Sequence, residues 1–171
     1  MRFVGIDPST KTGFVALDEN GKTLIANELT GVGTEDPYRM ITLIDEIMLH
    51  IEKDDFVTIE SFAFNAEGQY VVQLGGIGWG VRMALMRRGV KYYEVGTGQL
   101  KKYASGNGRA KKEQLIKPVF ENWGFRHSSD NVIDAYVLAQ IGRSMKNKTV
   151  QNKKQEEVIL KIFETINGAG K

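Results

Sequence analysis

The chain contains no cysteine, which excludes disulfides and thiolate metal sites. It contains only two histidines, His50 and His127, and they do not form a ligand pair. Both read as structural or surface residues, although His127 lies two positions before Ser129 at the start of a helix-like run. Long apolar runs are missing as well. None approaches the roughly 20 residues that a membrane span needs. The N-terminus enters a strand-like run after a single charge, unlike a signal peptide. These absences lead to the expectation of a cytoplasmic protein without a membrane partner. Net charge is small, at +2, so the chain as a whole is not strongly drawn to polyanions.

What is present is ordinary in bulk and uneven in place. The chain has 171 residues, 42% apolar and 26% charged, which suits one globular core. Between Arg82 and Lys112 there are nine Lys/Arg residues and one acid, Glu94, a charge of +8 within a protein of +2 overall. Such an imbalance points to a polyanion on one face, the plainer reading being a solvated basic surface.

The chain opens MRFVGIDPSTKTG. Arg2–Ile6 reads as a strand, Asp7 stands at its end, and Pro8 to Lys11 form a turn into a second strand, Gly13–Leu17. Asp18-Glu19-Asn20-Gly21 is a hairpin signal leading to Thr23–Leu29, so three antiparallel strands are expected. Pro37 opens a helix whose apolar positions run from Met40 to Ile51 at helical spacing. Phe56–Ile59 is a fourth strand ending in Glu60. A loop with Phe62 and Phe64 follows, and then a glycine-rich helix from Gln69 to Arg88. GGIGWG lies within that helical pattern and not directly after a strand, so it is not read as a phosphate loop; its glycines suit close approach of a neighbouring helix or a second subunit. Val90–Val95 is a fifth strand. Gly96–Gly108 reads as a loop with a short helical turn carrying Lys101 and Lys102. GNGRAKKEQL then opens a helix to about Trp123, and its N-terminal amides with Arg109, Lys111 and Lys112 would make a phosphate clamp. Ser128 or Ser129 caps the next helix, which carries Asp130 and Asp134 on one face. Lys146–Gln155 reads as a basic linker before an amphipathic helix, Val158–Ile166. The expected division is 1–145 for the main domain and 146–171 for linker and terminal helix.

Each acid has a plain alternative. Asp7 could only cap its turn, Glu60 could face water, Asp130 could be a helix-start acid, and Asp134 could be exposed. Against the last, Asp134 is embedded in Val-Ile-Asp-Ala-Tyr-Val-Leu. Taken together, Asp7, Glu60, Asp130 and Asp134 are the oxygen set that hard divalent cations need. Two such ions can activate water and stabilise the leaving oxygen of a phosphodiester.

The order of these elements resembles the ribonuclease H-like superfamily. Within it the chain is similar to the RuvC family of Holliday-junction resolvases, in particular its shorter phage-type members. The motifs that carry the resemblance are GIDPSTKTG, Ile59-Glu60 with its aromatic loop, Lys101 through GNGRAKK, and Asp130–Ala139. The resemblance implies a mixed α/β sheet of three antiparallel and two parallel strands flanked by helices, with a C-terminal helix added. It implies a crossover junction endodeoxyribonuclease acting as a homodimer on branched DNA, the four-way junction above all. Asp7, Glu60, Asp130 and Asp134 would hold Mg²⁺ or Mn²⁺, two per active site. Lys101, Lys102, Arg109, Lys111 and Lys112 would meet phosphates, and Phe62 or Phe64 would enter the junction. One departure is visible: many relatives space the last two ligands three apart, and position 131 here is Asn. The alternatives are a catalytically inactive branched-DNA-binding module and an actin-like or sugar-kinase-like ATPase fragment.

Overall fold

The computed structural model describes residues 1–62 and 69–168. Phe64 lies outside the described residues. Five strands form one sheet in the order β3-β2-β1-β4-β5: β1 Phe3–Asp7, β2 Thr12–Leu17, β3 Thr23–Leu29, β4 Phe56–Glu60 and β5 Tyr92–Val95. The first three are antiparallel, and β4 and β5 run parallel to β1. The helices are α1 Tyr38–Leu49, α2 Gln69–Arg87, α3 Thr97–Ser105, α4 Ile116–Trp123, α5 Asp130–Asn147 and α6 Lys153–Gly168. Among the described residues no helix is long and apolar enough to cross a membrane.

β1 is central, and its side chains alternate between two apolar layers. Val4 and Ile6 face α1 and α2, packing with Leu43, Ile47, Ile77 and Val81. Phe3 faces the other way, into a layer with α3, α4, α5 and α6. By the same parity Gly5 and Asp7 also face α5. Glycine at position 5 is a packing requirement: a Cβ there would stand 1.9 Å from the carbonyl oxygen of Ala135. Gly13 is the same case, its Cβ meeting the carbonyl of Asn131 at 1.9 Å. These two bare positions let α5 lie directly on β1 and β2. The Thr58 hydroxyl adds a donor to the Leu138 carbonyl at 2.7 Å. The close fit fixes the helix carrying Asp134 against the strand carrying Asp7.

Four expectations about elements need correction. Gly96–Gly108 is mostly helix: α3 spans Thr97–Ser105, started by Gln99 accepting from the Gly96 N–H and ended by Gly106 at φ 78°. The helix expected from GNGRAKKEQL starts later. Asn107 accepts from the Arg109 N–H, Lys111 is extended, and a single 3-10 turn over Lys112–Gln114 precedes α4. The fifth strand begins at Tyr92, two residues later than expected. The linker is also shorter, because α5 runs to Asn147 and α6 starts at Lys153 with Gln155 buried. α6 buries Val158, Ile159 and Ile162 in the same apolar layer as α5.

Candidate active site

β1 and β4 are parallel neighbours in which Ile6 pairs with Ile59. The next residue on each strand is an acid, Asp7 and Glu60, and both turn toward the α5 face. Parallel strands lie about 4.8 Å apart, so this register places the two carboxylates side by side at the strand ends. Asp134, on the second turn of α5, completes a group of three. Asp7 and Asp134 are each only 5% exposed. Asp7 is not the cap of its turn: Ser9 and Thr12 close it, the Thr12 hydroxyl donating to the Ser9 carbonyl at 2.7 Å. Glu60 does not simply face water, since the Thr97 hydroxyl donates to its Oε1 at 2.6 Å.

A cation already stands in this group. Lys112 Nζ is 3.4 Å from Asp134 Oδ2 and donates to Asn131 Oδ1 at 3.2 Å. Asn131 Nδ2 donates to the Lys11 carbonyl at 2.7 Å, which turns its oxygen toward Lys112. Burial pushes the Asp7 carboxyl well above the ordinary range, with Glu60 and Asp134 adding repulsion and Lys112 offsetting part of it. Burial also pushes Asp134 up to about 6, again against the pull of Lys112. The Lys112 ammonium is raised: burial lowers it, but Asp7 and Asp134 outweigh that. Two desolvated carboxylates with a third beside them favour any neighbouring positive charge.

Among the described residues no three His, Cys, Asp or Glu side chains converge on one coordination point as they stand. Asp7 stands next to Glu60 across the strand pair, and Asp134 is paired with Lys112. The donor set nonetheless fits a hard divalent cation: oxygen donors only, with Asp7 and Asp134 buried, and with Asp7 and Glu60 lining a cavity of about 600 Å³. Asp7, Glu60, Lys112 and Asn131 line that cavity together with Phe62 and Trp79.

The remaining residues singled out from the sequence fall into distinct places. Asp130 is the exposed first residue of α5, and Asp134 feels its charge only weakly. Asn131 lines the cavity instead, three residues before Asp134. Sequence reasoning marks Asn131 as a departure but gives it no place in the site; the spacing of three is the signal. Thr97 escapes a sequence reading because its partner comes from a distant strand end. Lys101 and Lys102 project from α3, and Lys102 is tied to Glu157 of α6 at 2.8 Å. Arg109 and Lys111 are exposed in the turn before the 3-10 segment. The expected clamp of helix N-terminal amides is not formed there, because α4 begins only at Ile116. Phe62 packs on Trp79 with ring centroids 5.1 Å apart. His127 accepts from the Ser129 N–H and stacks on Phe125, and His50 packs against Phe14, so both serve local structure.

Comparison with known proteins fits this geometry. The family model described as crossover junction endodeoxyribonuclease RuvC matches residues 3–140. The chain belongs to the RuvC family. A RuvC from Caldanaerobacter subterraneus subsp. tengcongensis is 30% identical over 148 residues, covering 81% of this chain and 90% of that protein. One from Ralstonia pickettii is 32% identical over 126 residues, covering 70% of each. Among solved structures, Thermus thermophilus RuvC superposes with a TM-score of 0.65 at 22% identity, covering 88% of this chain and 99% of that one. The same protein in complex with a Holliday junction substrate gives a TM-score of 0.62, covering 81% and 90%. The fold is therefore that of RuvC, with the expected three antiparallel and two parallel strands. The ATPase alternative falls with the family match.

Proposed function

We propose that this chain is a divalent-metal-dependent, structure-specific endonuclease that cleaves Holliday junctions. The observation that carries the reading is the pair of buried acids Asp7 and Asp134, with Glu60 at the neighbouring strand end and Lys112 beside them, in a chain of the RuvC family. The oxygen-only donor set suits Mg²⁺ or Mn²⁺, two per site. Asp7, Glu60 and Asp134 hold the ions as carboxylates, and the fourth place goes to the Asn131 amide oxygen in preference to the exposed Asp130. The bound ions supply Lewis-acid polarisation of the phosphodiester and a water of lowered pKa. Lys112, half-exposed beside Asp134, then balances charge on the scissile phosphate. Lys101, Arg109 and Lys111 extend the basic surface along the DNA backbone, which positions the substrate without reading its sequence. Phe62 supplies an apolar ring at the cavity mouth for the opened junction.

The homodimer is assigned to α2. Val72, Trp79, Met83 and Met86 are exposed at spacings of seven, four and three. Gly75 lies between the first two, with open space where a side chain would be. This is the spacing of a helix–helix seam. Other glycines of α2 serve α1: a Cβ on Gly80 would meet Ile44, and one on Gly76 would meet Met40. Residues 1–145 are the nuclease unit in this reading, and the C-terminal helix braces α3.

The test is cleavage of a synthetic four-way junction beside a linear duplex, with Mg²⁺, Mn²⁺ or EDTA, for the wild type and Asp7→Asn. Paired, metal-dependent nicks on the junction alone, absent in Asp7→Asn, are expected. Binding without cleavage under every metal would establish the inactive binding module instead.

A further inference from the structure

Arg82 is the largest fully buried side chain among the described residues, 2% exposed. A guanidinium survives such burial only when its donors are matched. Here each nitrogen has a partner. Nε donates to Glu94 Oε1 at 2.6 Å, Nη1 to the Gly78 carbonyl at 3.0 Å, and Nη2 to the Glu60 carbonyl at 2.9 Å. Its flat face lies 4.1 Å from the centroid of the Phe62 ring. Gly78 makes this stack possible, because a Cβ there would stand 2.6 Å from Phe62 Cε1. One buried side chain therefore grips the main chain of Glu60 and supports the ring two residues later. The opposite side of the same strand end is held by the Thr97 hydroxyl on Glu60 and by the Ser61 N–H on the Val95 carbonyl.

We propose that Arg82 is a positioning residue that sets Glu60 and Phe62 relative to one another, so that the acid holding the cation and the ring meeting the DNA move as one unit. The inference rests on the nuclease reading. A plain core-filling role would predict lost stability alone.

The experiment compares Arg82→Met, Arg82→Lys, Phe62→Ala, Glu94→Gln and the double variant Arg82→Met with Phe62→Ala against the wild type. Two readouts are taken: Mn²⁺ affinity by calorimetry without DNA, and the preference for a four-way junction over a linear duplex in binding and in kcat and KM. Arg82→Met should weaken Mn²⁺ binding by about tenfold, as loss of a residue supporting a ligand does, and should lower junction preference. Phe62→Ala should lower junction preference with Mn²⁺ affinity intact. The double variant should lose less junction preference than the product of the single losses, because the two residues act together. Arg82→Lys should recover less than half of the Mn²⁺ affinity, since an ammonium keeps the Glu94 pair but not the flat stack. If Arg82→Met does not fold by circular dichroism, Glu94→Gln decides. Its side chain is 46% exposed and the change leaves no cavity, and it should move both readouts in the same direction by about twofold to fivefold. Wild-type Mn²⁺ affinity and junction preference in a folded Arg82→Met, or in Glu94→Gln, would overturn the inference. A wild type that neither binds Mn²⁺ nor cuts the junction would overturn the nuclease reading itself, and the inference with it.

Discussion

Asp134 should make the metal-free protein lose stability as pH rises, and the loss can be sized. Its carboxyl moves from an ordinary 3.8 to about 6 in the fold, chiefly through burial. Below pH 4 the group is protonated both folded and unfolded, and it costs nothing. As pH rises through the window from about 4 to 6, the unfolded chain releases this proton while the folded chain keeps it, so each pH unit lowers stability by about 1.4 kcal/mol. Above pH 6 the cost is complete, on the order of 3 kcal/mol for a shift of about two units. For a domain of this size that corresponds to roughly 6–12 °C in Tm. Asp134→Asn removes the titration but keeps the shape. Thermal unfolding in EDTA from pH 4 to 7.5 should show the wild type falling relative to Asp134→Asn across that window, then running parallel above it. Saturating Mg²⁺ should erase the difference, since a bound cation favours the ionised carboxylate. Parallel profiles throughout the range in EDTA would refute the claim that Asp134 is held desolvated among the other acids.

Position 131 should matter more than position 130: Asn131→Ala should reduce junction cleavage by about 10- to 100-fold, whereas Asp130→Ala should stay within about threefold, as exposed changes usually do; steady-state kinetics at fixed Mg²⁺ separates them, and the opposite order would restore Asp130 to the site. Lys101→Ala with Lys112→Ala should lower the slope of log binding affinity against log salt by about one for each phosphate that is no longer neutralised, and an unchanged slope would remove both from the DNA path. Met83→Glu should convert a dimer to monomer in sedimentation velocity, by placing a charge in the α2 seam; a wild type that is monomeric with and without junction DNA would remove the dimer.

Much of this protein was written in one dimension. Strand runs, the hairpin signal and the apolar spacing of α1 are local, and the three-stranded antiparallel meander they predict is found, within the mixed sheet that the family resemblance implied. Asp7 and Glu60 were legible because each ends an apolar strand, and strand parity alone then turns both to one face. Asp134 was legible because an acid inside a run of apolar residues needs a reason to be there. The positions of α3 and of the α4 start were not legible, because Gly-Asn-Gly signals a turn without saying on which side the helix lies. What only the tertiary structure decided is which residue of the α5 first turn lines the cavity. Spacings of three and four both share a helix face, and the choice of Asn131 over Asp130 came from the bare Gly5 and Gly13 letting α5 rest on β1 and β2 in one rotation. The same holds for Arg82, which in sequence is one of nine basic residues in a charged band and in the fold is a buried brace with a partner at each nitrogen. Charge can be counted along a chain, but whether a charge meets solvent or a carbonyl depends on contacts between residues far apart in sequence.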